Sequence, residues 1–237
     1  MADTLDSDRP IPSGGHWPFW LAIVVTLAFC ALGYFSGNSA YDFVQESGAI
    51  ENASATIFLC GALGFAVLRP DLAFGRGWSV AVIMVLFTAR ELDFDKRFME
   101  KGILQLRLYT GDYPLDQKLI GAAFVCLILV TLYHLVRHGW RPLIQGLRAA
   151  EVWAWSVIVA FVTVVVAKSL DGAGRKLAPF GIELTEPMDF AFVVMEEVLE
   201  LGFGLLLVFA ICSWVRHDAL SAAAKRAFPT RSVRSDN

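Results

Sequence analysis

Six predominantly apolar runs recur along the 237-residue chain, at 17–35, 52–68, 78–95, 118–136, 152–171 and 188–215. Each approaches the ~20 residues that an α-helix needs to cross ~30 Å of hydrocarbon. Gly and Pro punctuate the gaps, at Arg69-Pro70, Gly75-Arg76-Gly77, Arg141-Pro142 and Gly172-Ala173-Gly174. No linker is long enough to separate a pair of domains. The pattern predicts an all-α, polytopic integral membrane protein. Its transmembrane domain, residues 17–215, is a bundle of six helices with short loops, flanked by an N-terminal tail (1–16) and a basic C-terminal tail (216–237).

Composition agrees with that solvent. The chain is 56% hydrophobic and 18% charged, with a mean hydropathy of +0.55, whereas soluble domains carry about a quarter charged residues. A water-soluble enzyme, a nucleic-acid-binding module and a disordered scaffold are excluded. The partner is the lipid bilayer, with a lipid or small ion as ligand and no nucleic acid. The net charge of −3 becomes informative when divided by side. With both termini cytoplasmic, the inner segments hold 11 of the 20 basic and 7 of the 23 acidic residues. That is a net of +4 inside and −7 outside, the sign that the positive-inside rule favours. Asp3, Asp6 and Asp8 against a single Arg9 reverse the flank of a cleaved signal. The expected location is therefore a cell membrane, a bacterial inner membrane, crossed several times.

Depth concentrates the charge further. From Trp78 to Ala89 there are only 12 uncharged residues, ~18 Å of helix, so the third run needs Arg90, Glu91, Asp93 and Asp95 to complete a span. The fifth meets Lys168 and Asp171 after ~24 Å. Counting back from Arg216 puts Glu200, Glu197 and Glu196 at ~23, ~27 and ~29 Å, and Glu51 lies ~26 Å from Leu68. Four helices thus place ionisable groups in one outer-leaflet band. Glu196, Glu197 and Glu200 share a helix face through i,i+3 and i,i+4 spacing, and Arg90/Asp93 and Lys168/Asp171 are i,i+3 pairs. Charges at this depth belong in the bundle interior or a wet cavity.

Arg90 and Lys168 against Glu51, Glu91, Glu196, Glu197 and Glu200 sum to −3. Crowded carboxylates cannot all stay ionised in a low dielectric, so a proton or a cation settles among them. The leading expectation is a small transporter-like protein handling a proton or cation. The alternative is a membrane-embedded hydrolase or transferase acting on lipid headgroups, with a neutral Glu as acid, a second carboxylate as base, and Arg90 or Lys168 on the phosphate. A second alternative is a non-catalytic membrane subunit with a structural charge network. No cofactor is required; a hard divalent cation at the carboxylates is the one candidate.

Other features compete with these. His134, His138 and His217 are a candidate zinc set, although Arg137-His138-Gly139-Trp140-Arg141 reads more simply as an interface anchor. Glu51, Ser54 and Glu197 are a candidate nucleophile group. Glu51 and Ser54 also resemble a portion of the opening motif of the multi-span hydrolases that include alkaline ceramidases, but the zinc histidines of those enzymes are missing from the band, and no family is assigned. Basic-x-Leu-Asp-x3-Arg at Arg90–Arg97 and again at Lys168–Arg175 suggests a duplicated helix pair. Residues 98–116 alternate apolar and polar side chains like an interfacial lid. Cys30, Cys60, Cys126 and Cys212 sit inside the runs as apolar fillers, Asn52-Ala53-Ser54 reads as an accidental sequon, and seven Trp form an aromatic belt.

Overall fold

The computed structural model describes residues 16–35, 48–94 and 98–227, with the backbone alone for Tyr34 and 222–227. The described residues are predominantly helical and form no strand. In chain order the helices are α1 (Trp17–Phe35), α2 (Ala49–Leu68), α3 (Pro70–Ala73), α4 (Trp78–Glu91), α5 (Leu106–Thr110), α6 (Leu115–Arg148), α7 (Val152–Leu170), α8 (Ala173–Leu177) and α9 (Glu186–Ala227). Four segments are long and apolar enough to cross a bilayer: α2, α6, α7 and Glu186–Ser221 of α9. The apolar stretch Trp17–Gly33 of α1 is shorter.

Local chemistry explains most boundaries. Pro70 starts α3 where its missing N–H costs nothing, and Arg69, at φ −139°, turns the chain out of α2. α6 ends with Glu151 N–H donating to the Gly146 carbonyl at 2.8 Å while Ala150 takes φ 55°. Gly172 sits in the left-handed region (φ 58°) just beyond α7, where a side chain would be strained. α9 does not stop at Val215: the Ala-rich stretch after Asp218 favours helix, which continues to Ala227. The expected C-terminal tail is therefore helical over 216–227, and the rest of it, with Arg231 and Arg234, lies outside the described residues. So do residues 1–15 of the N-terminal tail, and Asp95 and Arg97.

The third run is shorter than expected. α4 ends at Glu91, and Asp93 adopts φ 45° instead of extending the helix. Fourteen residues rise ~21 Å, so α4 stops ~9 Å short of a full crossing. Carrying Arg90, Glu91 and Asp93 onward as a lipid-facing helix would expose them to hydrocarbon.

α2 is central, packed against α1, α4 and α9, and α7 lies along α9 in the most extensive pairing. α6 packs on α4 and α7 along one side and exposes Leu119, Leu129, Leu132 and Tyr133. The core is Ala22, Ile57, Phe58, Ala62, Met84, Ala160, Phe203, Val208 and Cys212. Close approach depends on small residues, as is usual for helices packed without a hydrophobic drive between them. A Cβ on Gly64 would stand 2.5 Å from Pro18 Cβ.

At one end of the bundle Arg69 ties the α2–α3 turn to α9. It ion-pairs with Asp218 and grips Asp71 through Nε–Oδ1 (3.0 Å) and Nη2–Oδ2 (2.9 Å). His217 Nε2 meets Glu151 Oε1 at 3.2 Å on the same end. The guanidinium beside Asp71 holds that carboxyl below the usual carboxylate range. Its contribution is complete above the unfolded-state value and is lost as pH falls through the lowered folded-state value.

Two outcomes follow for thermal unfolding in detergent. Gly64→Ala destabilises by about 1–3 kcal/mol through overpacking, whereas Gly139→Ala, with nothing within 4 Å of the new Cβ, stabilises by about 0.5–1 kcal/mol. Arg69→Gln costs at most about 1 kcal/mol at neutral pH, because both carboxylate partners of the guanidinium are about half exposed. The gap between wild type and Arg69→Gln should hold above about pH 5 and shrink below about pH 4; a gap that widens in acid would contradict the assignment.

Candidate functional site

At the opposite end, four helices bring their charges together. Glu51 lies in the first turn of α2, Arg90 and Glu91 form the last turn of α4, and Lys168 lies in the last turn of α7. Glu196, Glu197 and Glu200 line successive turns of α9. The depths counted along the sequence thus correspond to one level in the folded chain.

Two ion-paired units organise the cluster. Arg90 Nη1 meets Glu91 Oε1 at 3.0 Å; the arginine side chain is 56% exposed and the glutamate 9%. Lys168 pairs with Glu200 and reaches Glu196 Oε1 at 3.4 Å. Each unit therefore has a buried carboxylate and a more exposed cation. Arg90 also lies within electrostatic reach of Glu200 and Asp93, and Lys168 within reach of Arg90, so the units form one network. Glu91 is in reach of Glu51, Glu200 and Lys168. Glu197 differs from the rest. The four groups that bear on it most are all carboxylates: Glu200, Glu196, Glu91 and Glu51.

Seven sequence-predicted residues thus converge: Glu51, Arg90, Glu91, Lys168, Glu196, Glu197 and Glu200. Asp93 and Asp171 stand at the margin. Asp171 lies in reach of Glu196 and 3.9 Å from Arg175 Nη2. In the two copies of the suggested duplication the helix ends within the motif, α4 capped at Leu92 and α7 at Asp171, one position apart.

Two features of the site were not anticipated. Lys176 Nζ donates to the carbonyls of Lys168 (2.9 Å) and Ser169 (3.4 Å), satisfying acceptors at the C-terminus of α7. A basic residue shortly past a helix end was the available signal. The second is a group of phenylalanines next to the charges. Phe58, Phe87 and Phe203 are mutually 5.2, 5.3 and 5.7 Å apart between ring centroids. They sit two turns from Glu51, one turn from Glu91 and one turn from Glu200 respectively.

The rival sites come apart. His134 Nδ1 contacts Ser79 Oγ at 3.1 Å, and its ring stacks on His138 and Trp78, while His217 is committed to Glu151. Among the described residues no three of His, Cys, Asp and Glu are arranged to hold a metal ion. Neither the histidine zinc set nor a ready-made divalent-cation cage is present there. Ser54 is 1% exposed within α2, which leaves the expected nucleophile group without an approach and the sequon unavailable. Within the 98–116 segment Leu106–Thr110 forms a short helix and α6 begins at Leu115. Leu108 and Tyr109 seat against Gly121 of α6, with Tyr109 Oη donating to the Ile103 carbonyl at 2.7 Å.

Comparison of the chain with protein-family models, curated proteins and solved structures finds no match.

Removing the cation while keeping its buried partner should be costly. Lys168→Met leaves Glu200 uncompensated and is expected to cost about 1–3 kcal/mol, since the lysine is only half-buried. Lys168→Met/Glu200→Gln should recover most of that loss, and thermal unfolding of the complete double-mutant cycle measures the coupling.

Proposed function

We propose that the chain is a six-span cell-membrane protein with both termini in the cytoplasm, whose cluster holds a proton exchanged with the outer membrane face. The supporting observation is Glu197. It stands at membrane depth among four other carboxylates, while Arg90 and Lys168, the cations of the cluster among the described residues, are engaged by Glu91, Glu196 and Glu200. Such a set takes up a proton more readily than it stays fully ionised. α4 adds weight. A helix that ends inside the hydrocarbon is tolerated where its end lines protein or water, and interrupted spans of this kind mark ion and proton sites in membrane proteins. Six spans are supported by α1, at 19 residues ~28 Å long, and by α4, whose 14 residues cover ~21 Å of a crossing.

In this reading Glu197 is the carrier. Arg90 pairs with Glu91 and Lys168 with Glu200 beside it, so both cations of these units are already engaged. A proton suits the site better than a metal ion, since the carboxylates of the described residues do not form a ligand cage.

One observation favours a second reading, a hydrolase or transferase acting on lipid headgroups. The 56% exposed Arg90 guanidinium sits at the rim of the cluster, where a headgroup phosphate would meet it.

Infrared titration of the purified protein in detergent distinguishes the two. Wild type should show a protonated-carboxyl band that titrates with pH and disappears in Glu197→Gln. An unchanged band in that variant removes Glu197 as the carrier. Native lipid mass spectrometry on the same samples and on Arg90→Gln addresses the second reading, which requires an anionic lipid retained by wild type and lost on removing Arg90.

A further inference from the structure

The three phenylalanines come from the three helices that supply Glu51, Glu91 and Glu200. Phe87 is four residues before Glu91 and Phe203 three after Glu200, so each ring shares the face of its glutamate one turn deeper. Phe58 lies seven residues along α2 from Glu51, two turns down the same face. The rings meet edge-on or tilted at 5.2–5.7 Å, close contact for aromatic pairs. Phe58 is 1% and Phe203 8% exposed.

Behind them, among the described residues, the core cluster continues with apolar side chains. Ile57, Ala62, Met84, Val208 and Cys212 fill the space beneath the rings. Gly61 draws α2 so close that a Cβ there would stand 2.4 Å from Met84 Cε. The hydroxyl of Thr88, the residue after Phe87, is spent on the Met84 carbonyl at 3.0 Å. Along α9 the next charged residue after Glu200 is Arg216, ~24 Å away, and the one thiol between them, Cys212, is buried. A constriction lined only by apolar rings expels water, and without water or a titratable side chain a proton has no carrier.

We infer that Phe58, Phe87 and Phe203 form a proton barrier directly beneath the cluster, which confines exchange to one membrane face and makes the site a dead end. Movement of a proton through the bundle then requires the rings to separate. The inference builds on the reading of the cluster as a proton site, and its test distinguishes the barrier from that reading.

The test uses the full chain in liposomes with a trapped pH dye, under a potassium–valinomycin potential. Wild-type vesicles should be no leakier to protons than protein-free ones. Phe87→Ser/Phe203→Ser, which places hydroxyls in the constriction, should leak about tenfold faster, while Phe203→Leu, which stays apolar, should remain tight. Helical content and monodispersity show which variants are folded. Phe87→Ser alone, at the less buried position, carries the test if the double variant does not fold. Adding Glu197→Gln to a leaky variant should slow the leak. A leak that ignores Glu197→Gln leaves the barrier in place and removes the proton reading of Glu197. A folded serine variant as tight as wild type, or a wild type as leaky as the serine variant, overturns the barrier.

Discussion

A carboxylate at membrane depth needs a partner, and Glu200 finds it in Lys168. That pairing fixes the level at which α7 and α9 meet, since a shift of one residue along either helix would separate the ammonium from the buried carboxylate. The α7–α9 pair is also the most extensive contact in the bundle. The remainder is arranged about it. α2 packs on α9 and brings Glu51 to the same level, α4 packs on α2 and ends with Arg90 and Glu91 there, and Lys176 closes the C-terminus of α7 over Lys168. Such a pair contributes less to net stability than to register, because desolvation of the two charges offsets much of their attraction.

The common depth of these charges was legible in the sequence because a helix has a fixed rise. Counting residues from Arg216 or Leu68 gives distance directly, with no knowledge of which helices touch. The all-helical character was legible for a similar reason, because long apolar runs leave the backbone no other way to satisfy its polar groups in lipid. Neighbour choice was not. That α2 would be central and α6 peripheral depends on Gly61, Gly64 and the other small residues that permit close approach, and their partners, Met84 and Pro18, are distant in the chain or set by packing. The aromatic triad was hidden likewise, since a Phe in a membrane helix looks the same whether it faces lipid or two other Phe.

Local hydropathy misleads where it is asked to fix an end. A span needs length, which carries the third run to Asp95, but α4 ends at Glu91, the buried carboxylate of its last turn. The histidines illustrate the complementary point. His134 and His138 are adjacent, as i,i+4 spacing requires, yet His217 belongs to a different contact across the bundle, with Glu151. Spacing on one helix is reliable geometry; coincidence between helices is not, unless depth constrains it.

α9 has one further property. From Glu200 to Ala227 it is a single uninterrupted rod of ~40 Å, with no proline and no capped break. Arg69 grips this rod at Asp218, ~27 Å along it from Glu200. The helix that carries the carboxylates at one end of the bundle is therefore the same stiff element that is anchored by an ion pair at the other, so the two ends cannot be positioned independently.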